Sequence, residues 1–192
     1  MNILLSWDLF VTVFFIVIVA YSFIVGRDNT LKVILGTYVS MIAADATGNL
    51  FGKYFGSSEM FMKILRLADV TTDSEAVVFV KVVIFVILVI LFAILGAFQV
   101  RTVDDRSVIV RIGLSVIYAV MSAGLIISVI LVFVSGLSII GGGNIETLET
   151  ALFGIYNRST IIRNIITHAN LWFALPALAF LLHSYYSSDV DE

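Results

Sequence analysis

The chain has 192 residues, of which 60% are hydrophobic and only 13% charged, with a mean hydropathy of +1.10; soluble domains are roughly 45–50% apolar. A formal charge of −3 with no basic block leaves nucleic-acid binding without an electrostatic footing, and the lack of cysteine excludes disulfides and thiolate chemistry. The apolar runs are continuous and do not alternate, which excludes a membrane β-barrel, and Pro176 is the one proline; helices, which satisfy their own backbone in lipid, remain.

In chain order, residues 9–26 (LFVTVFFIVIVAYSFIVG) supply about 18 residues, ~27 Å as a helix, enough with flanking help to cross the ~30 Å hydrocarbon core. A cleaved signal peptide is the rival reading, since AYS at 20–22 resembles a cleavage site. No Lys or Arg precedes the run and Asp8 does, so an anchoring first helix is expected. The segment GRDNT turns the chain into a second span over 31–52, bracketed by Lys32 and Lys53 and the least hydrophobic of the set.

The connector KYFGSSEMFMKILRLADVTTDSEA places Phe61, Ile64, Leu65 and Ala68 on one helical face and Glu59, Lys63, Arg66 and Asp69 on the other. That pattern predicts a short amphipathic helix on the membrane surface, against the alternative of a soluble hairpin. Residues 76–98 are the most hydrophobic and form a third span, with Lys81 near one end where its stem can snorkel to the headgroups. Residues 108–140 form a fourth, with Arg111 near its entry and the glycines of IIGGGN ending it. At over 30 residues it must tilt, bend or continue into the headgroups.

Asn144 can cap the amphipathic stretch IETLETALFGIY. The apolar run LWFALPALAFLL, within 171–186, is either a short fifth span held by Trp172, Tyr185 and Tyr186 or a re-entrant segment. The expectation is one all-α membrane domain over 1–192: a bundle of four transmembrane helices, a short amphipathic segment and an undecided fifth hydrophobic helix. Basic residues divide five against six between the two sides; the Arg27 end of the first helix favours an outside N-terminus.

Counting by four through the second span gives Gly36, Ser40, Ala44, Gly48 and Gly52. A small-xxx-small ridge lets two helix backbones approach closely, which matters where lipid is as apolar as Leu. The fourth span offers a matching surface in Ser115, Ala119 and Ala123, with Ser122, Gly124 and Ser128 beside it. The expectation is that helices two and four meet on these faces, within one chain or between copies.

Asp45 flanks the ridge. A carboxylate at depth costs about 2.5–3.5 kcal/mol on insertion scales, which marks it as functional by default; the equal alternative is a helix-end position near the headgroups, capped through Thr47 or Gly48. Because an unpaired lipid-facing carboxylate costs several kcal/mol, Asp45 is expected inside the protein next to helix four, within reach of a Ser, Thr or backbone donor, and not on the lipid face. Lys81 and Arg111 are the candidate counter-charges of an ion or proton site. An intramembrane aspartyl protease needs two aspartates at depth and only Asp45 qualifies. His168 and His183 lack a carboxylate at ligand spacing, so no metal site is expected. Gly141 to Gly143 lack a following Lys-Ser/Thr, so they read as a hinge and not a phosphate loop.

Three stretches carry a family likeness. SWDLFVTVFFIVIVAYSFIVGRDNTLKVILGTYVSMIAA has Asp8 opening the first helix and a Gly-Arg turn; VDDRSVIVRIGLSVIYAVMSAGLIISVILVFV has Asp105 and Arg106 followed by Gly113 and Gly124; YNRSTIIRNII has Asn157 and Ser159. Together they resemble the colicin V production protein (CvpA) family, as a divergent member with a C-terminal extension and with its Gly-rich first turn reduced to Gly26-Arg27. The resemblance implies a four-helix, multi-pass bacterial inner-membrane protein associated with export, toxin production and cell-envelope homeostasis, with no catalytic residue.

Two expectations of function follow. The first is a non-enzymatic envelope protein without cofactors, acting through helix packing, membrane lipids, self-association or other membrane proteins. The alternative is a small ion channel or proton-coupled transporter subunit using Asp45; a holin-like lesion former is a third class that needs no buried carboxylate.

Overall fold

A computed structural model describes residues 7–55, 58, 63, 72–95, 108–140 and 159–188, and these contain six helices and no strand. The helices are α1 (Trp7–Val25), α2 (Arg27–Phe55), α3 (Asp73–Leu95), α4 (Val108–Val134), α5 (Thr160–Thr167) and α6 (Ala169–Ser188). The expected amphipathic connector between α2 and α3, the segment IETLETALFGIY and Gly141 to Gly143 lie outside the described residues.

Three helices, α1, α3 and α4, are long and apolar enough to cross a membrane. The pair α5 and α6, bent by 57° at His168, passes the same test if taken as one broken span. The C-terminal apolar run is therefore not an isolated 12-residue piece. It belongs to a 20-residue helix that carries Pro176.

Helix α2 is different. It is 29 residues long but includes Arg27, Asp28, Lys32, Asp45 and Lys53, and one face of it is buried against its neighbours. Leu31, Ile34, Thr37, Ser40, Ala44 and Asp45 are fully buried. The buried polar groups Thr37, Ser40 and Asp45 of α2 sit where protein surrounds them, the setting in which a polar side chain can find a partner away from water. In contrast, only 17% of the α1 span and 11% of the α3 span are buried, whereas 72% of the α4 span is.

The boundaries differ from the sequence expectation in two instructive places. GRDNT is not a loop: Gly26 alone separates α1 from α2, at φ +86°, a conformation that glycine adopts without steric cost. Thr30 ties the joint by donating its hydroxyl to Gly26 O at 2.9 Å and lying 3.2 Å from Ser22 O. The fourth helix does not run to residue 140. It stops at Val134, Gly136 takes φ +78°, and residues 135–140 fold back toward α2, so the excess length forms a turn.

The small-residue ridge of α2 meets α3 and not, as expected, α4. A Cβ added at Gly36 would lie 2.6 Å from Phe92 Cβ, one at Gly52 would lie 2.7 Å from Val77 Cγ2, and one at Gly48 would strike Lys81 Cγ. The order 36, 48, 52 against 92, 81, 77 makes the two helices antiparallel. Glycines here act as holes for side chains of α3, which brings close dispersion contacts between the two helices. α4 still adjoins α2, through a core that includes Leu31, Ile34, Met41, Tyr118, Leu125, Val129 and Phe133. Phe85 of α3 meets Phe133 edge-on, with centroids 5.7 Å apart.

The surface expected on α4 to receive the ridge divides. Ala119 and Ala123 are buried, Ser115 donates its hydroxyl to Arg111 O at 2.9 Å within its own helix, and Gly124 is covered by the Trp172 ring of α6.

Candidate functional site

Asp45 is fully enclosed. Its Oδ1 lies 2.7 Å from Lys81 Nζ, and the Lys81 side chain is only 3% exposed. Its Oδ2 accepts the Ser138 hydroxyl at 2.9 Å and the Ile140 backbone N–H at 2.8 Å. Asn49, one helical turn further along α2, donates its amide to Ser138 Oγ at 2.9 Å. Three separate elements thus converge on one carboxylate: α2, α3 and the turn after α4.

Each element brings its group for a local reason. Gly48 removes the obstacle over which the Lys81 stem reaches Asp45. Gly136 reverses the chain after α4, so that Ser138 and Ile140 point back at α2. Helix α3 is started by a capping box in which the Thr72 N–H donates to Glu75 Oε2 at 3.1 Å and the Glu75 N–H to Thr72 Oγ1 at 3.3 Å; this fixes where the helix begins and hence the height of Lys81. A buried charge without a partner is strongly unfavourable, and this centre supplies one full counter-charge and two neutral donors.

Helix α2 continues past Asp45 to Phe55, so Asp45 does not sit at a helix end, and its donors are a serine and a backbone N–H just beyond α4. Two expectations are corrected. Lys81 does not snorkel to the headgroups: it turns inward to the ion pair. Arg111 is not a counter-charge, because it is exposed near the start of α4, about 35 Å along the helix from the end that meets Asp45. Of the three residues proposed for an ion or proton site, the structure brings together Asp45 and Lys81.

A cleft of about 810 Å³ opens beside the pair. Its walls include Asn49, Glu75, Lys81, Ser135 and Ser138 together with the apolar Val77, Val82 and Val134. Ser138 and Ser135 were invisible as site residues in the sequence, where they sit in an apolar run; the signal available was a pair of hydroxyl residues flanking a glycine at a helix end.

A second polar joint lies at the start of α1. Asp8 Oδ1 accepts the Ser159 hydroxyl at 2.5 Å and faces the Ile161 N–H at 3.3 Å, while Ser159 Oγ accepts the Ile162 N–H at 3.1 Å as N-cap of α5. A third is on α6, where Tyr38 donates its hydroxyl to Phe173 O at 2.5 Å. Pro176 has no N–H, so the carbonyl of Trp172 loses its helical partner in the same turn. The candidate histidine His168 has its Nδ1 2.9 Å from Asn164 O, and no group of His, Asp and Glu able to hold a metal occurs among the described residues.

Comparison with known proteins adds nothing to this geometry: no protein-family model, no curated protein and no solved structure matches the chain.

Proposed function

We propose that the protein is a non-enzymatic, multi-pass membrane protein that moves a small cation or proton by way of Asp45 and Lys81. In this reading α2 crosses the bilayer sheltered by α1, α3 and α4, and α5 with α6 completes the bundle as a broken fifth crossing. The observation that carries it is the buried Asp45–Lys81 pair, of which Lys81 lies on the wall of a wide cleft and Asp45 is enclosed behind it. Ionisable residues enclosed among membrane helices are costly and line ion or proton paths more often than they serve packing alone. Flux assays on the purified chain in liposomes test it. Equal ion movement by wild type and Asp45→Asn, or none by either, would reduce the pair to a structural latch.

A second reading is a CvpA-type envelope protein of the bacterial inner membrane that assists export or membrane homeostasis through contacts with lipids, its own copies or other membrane proteins. It is supported by the motif likeness and by the outward apolar faces of α1 and α3, where Ile16, Val17, Ile24, Ile87, Ile90 and Ile94 are exposed. Crosslinking in native membranes tests it: recovery of monomer alone would count against self-association, and full complementation by Asp45→Asn would favour this reading over transport.

A further inference from the structure

The two oxygens of Asp45 are held in chemically different ways. Oδ2 is gripped by neutral donors, the Ser138 hydroxyl and the Ile140 N–H, which fix the carboxylate in place and leave its charge untouched. Oδ1 meets Lys81 Nζ. Among the described residues, the negative charge is therefore balanced by a single group, and that group is one that becomes neutral by giving up a proton. Lys81 is also part of the cleft wall, with Asn49 and Ser138 beside it.

From this arrangement we infer that a monovalent cation and a proton compete at Asp45: a cation arriving through the cleft replaces the Lys81 ammonium on Oδ1, and Lys81 releases one proton in exchange. The inference rests on the transport reading and specifies its substrate class and stoichiometry. Lys81-NH₃⁺ paired with Asp45-COO⁻, plus M⁺, becomes Lys81-NH₂, Asp45-COO⁻ paired with M⁺, and H⁺. One N–H bond breaks with its electron pair left on nitrogen, the proton passes to water in the cleft, and nothing is oxidised or reduced. The charge of the centre is the same before and after, so each cycle moves one cation against one proton with no net charge.

The donor set selects the cation. The carboxylate, the Asn49 side chain and the Ser138 hydroxyl offer oxygen, which suits hard cations. One carboxylate balances one positive charge, and a divalent ion would leave an excess charge in a low-dielectric centre. Among the described residues, no ionisable group other than Lys81 is paired with Asp45. α3 contributes Glu75 on the cleft wall, exposed and engaged as the capping residue of its own helix; α2 contributes Lys53, exposed in its last turn; the Asp8 carboxylate of α1 is engaged with Ser159. The turn 135–140 carries no charged residue, and Arg111 of α4 is at the far end.

The full chain reconstituted in liposomes with a pH-sensitive dye inside, and given an inward Na⁺ gradient or, in parallel vesicles, an inward K⁺ gradient, decides the matter. The expected result is cation entry with alkalinisation of the lumen, no signal from a membrane-potential dye, and apparent cation affinity rising about tenfold per pH unit while Lys81 is protonated. Lys81→Arg keeps a positive partner that does not deprotonate, so it should retain the thermal stability of the wild type and lose the exchange. Asp45→Asn should lose cation binding and proton movement alike. Cation entry without proton counterflow, or exchange undiminished in a folded Lys81→Arg, would overturn the inference and leave transport standing. Absence of any cation or proton flux from folded wild type would overturn the transport reading and the exchange with it.

Discussion

The stem of Lys81 passes directly over Gly48, and only the missing side chain at position 48 lets it reach Asp45. The ridge glycine and the buried charge pair, which look like separate features in the sequence, are one device. Gly48→Ala adds a methyl where the Lys81 Cγ already is. Overpacking costs about 1–3 kcal/mol, against about 1 kcal/mol gained from helix propensity, so net destabilisation is expected. Gly113→Ala is the control, since a Cβ there meets nothing within 4 Å; it should be neutral or stabilising. Thermal unfolding of the two variants in the same detergent checks the contrast.

The Asp45–Lys81 pair should behave as a coupled unit. Asp45→Asn leaves an enclosed ammonium and Lys81→Met an enclosed carboxylate, and each is expected to cost about 3–5 kcal/mol. The double variant removes both charges and should recover a large part of that loss. Stability of the two single variants and the double variant in one mixed-micelle system gives the coupling; strictly additive losses would show that the pair is not the unit described here.

Trp172 seals Gly124 and so holds α6 against α4. Gly124→Leu should push the indole out. The chain has two tryptophans, Trp7 and Trp172, so a Trp7→Phe background reports on Trp172 alone. A red-shifted emission and easier quenching are expected in Gly124→Leu, and an unchanged spectrum would place the indole elsewhere.

The joint between Asp8 and Ser159 ties the first helix to the start of α5. Removing an N-cap hydroxyl costs about 1 kcal/mol. Ser159→Ala should therefore speed hydrogen exchange at the Ile161 and Ile162 amides roughly fivefold, and Asp8→Asn should speed it at Ile161 more than at Ile162. Exchange unaltered by either change would separate the two helices.

Much of this protein was legible in its order of residues. Hydropathy is a property of contiguous sequence, so the class of protein and the apolar cores of α1, α3 and α4 could be read directly. The spacing of Gly36, Ser40, Ala44, Gly48 and Gly52 announced a close approach for the same reason: a helix places every fourth residue on one face. The energetic cost of a carboxylate at depth was enough to expect Asp45 indoors with a hydroxyl or backbone donor.

The partners were decided by tertiary structure. A small-residue ridge specifies that something comes near and not what, and here the holes are filled by Phe92, Lys81 and Val77 of α3 in place of a second small ridge on α4. Lys81 near a helix end is equally compatible with snorkelling outward and pairing inward; the position of Asp45 across the interface chooses between them. Ser138 and Ile140 reach Asp45 only because the chain reverses at Gly136, a left-handed turn whose effect lies some ninety residues away in sequence. Local patterns determine how much surface a helix must hide, whereas contact between distant residues depends on which of several compatible faces meet, and only the packed chain contains that information.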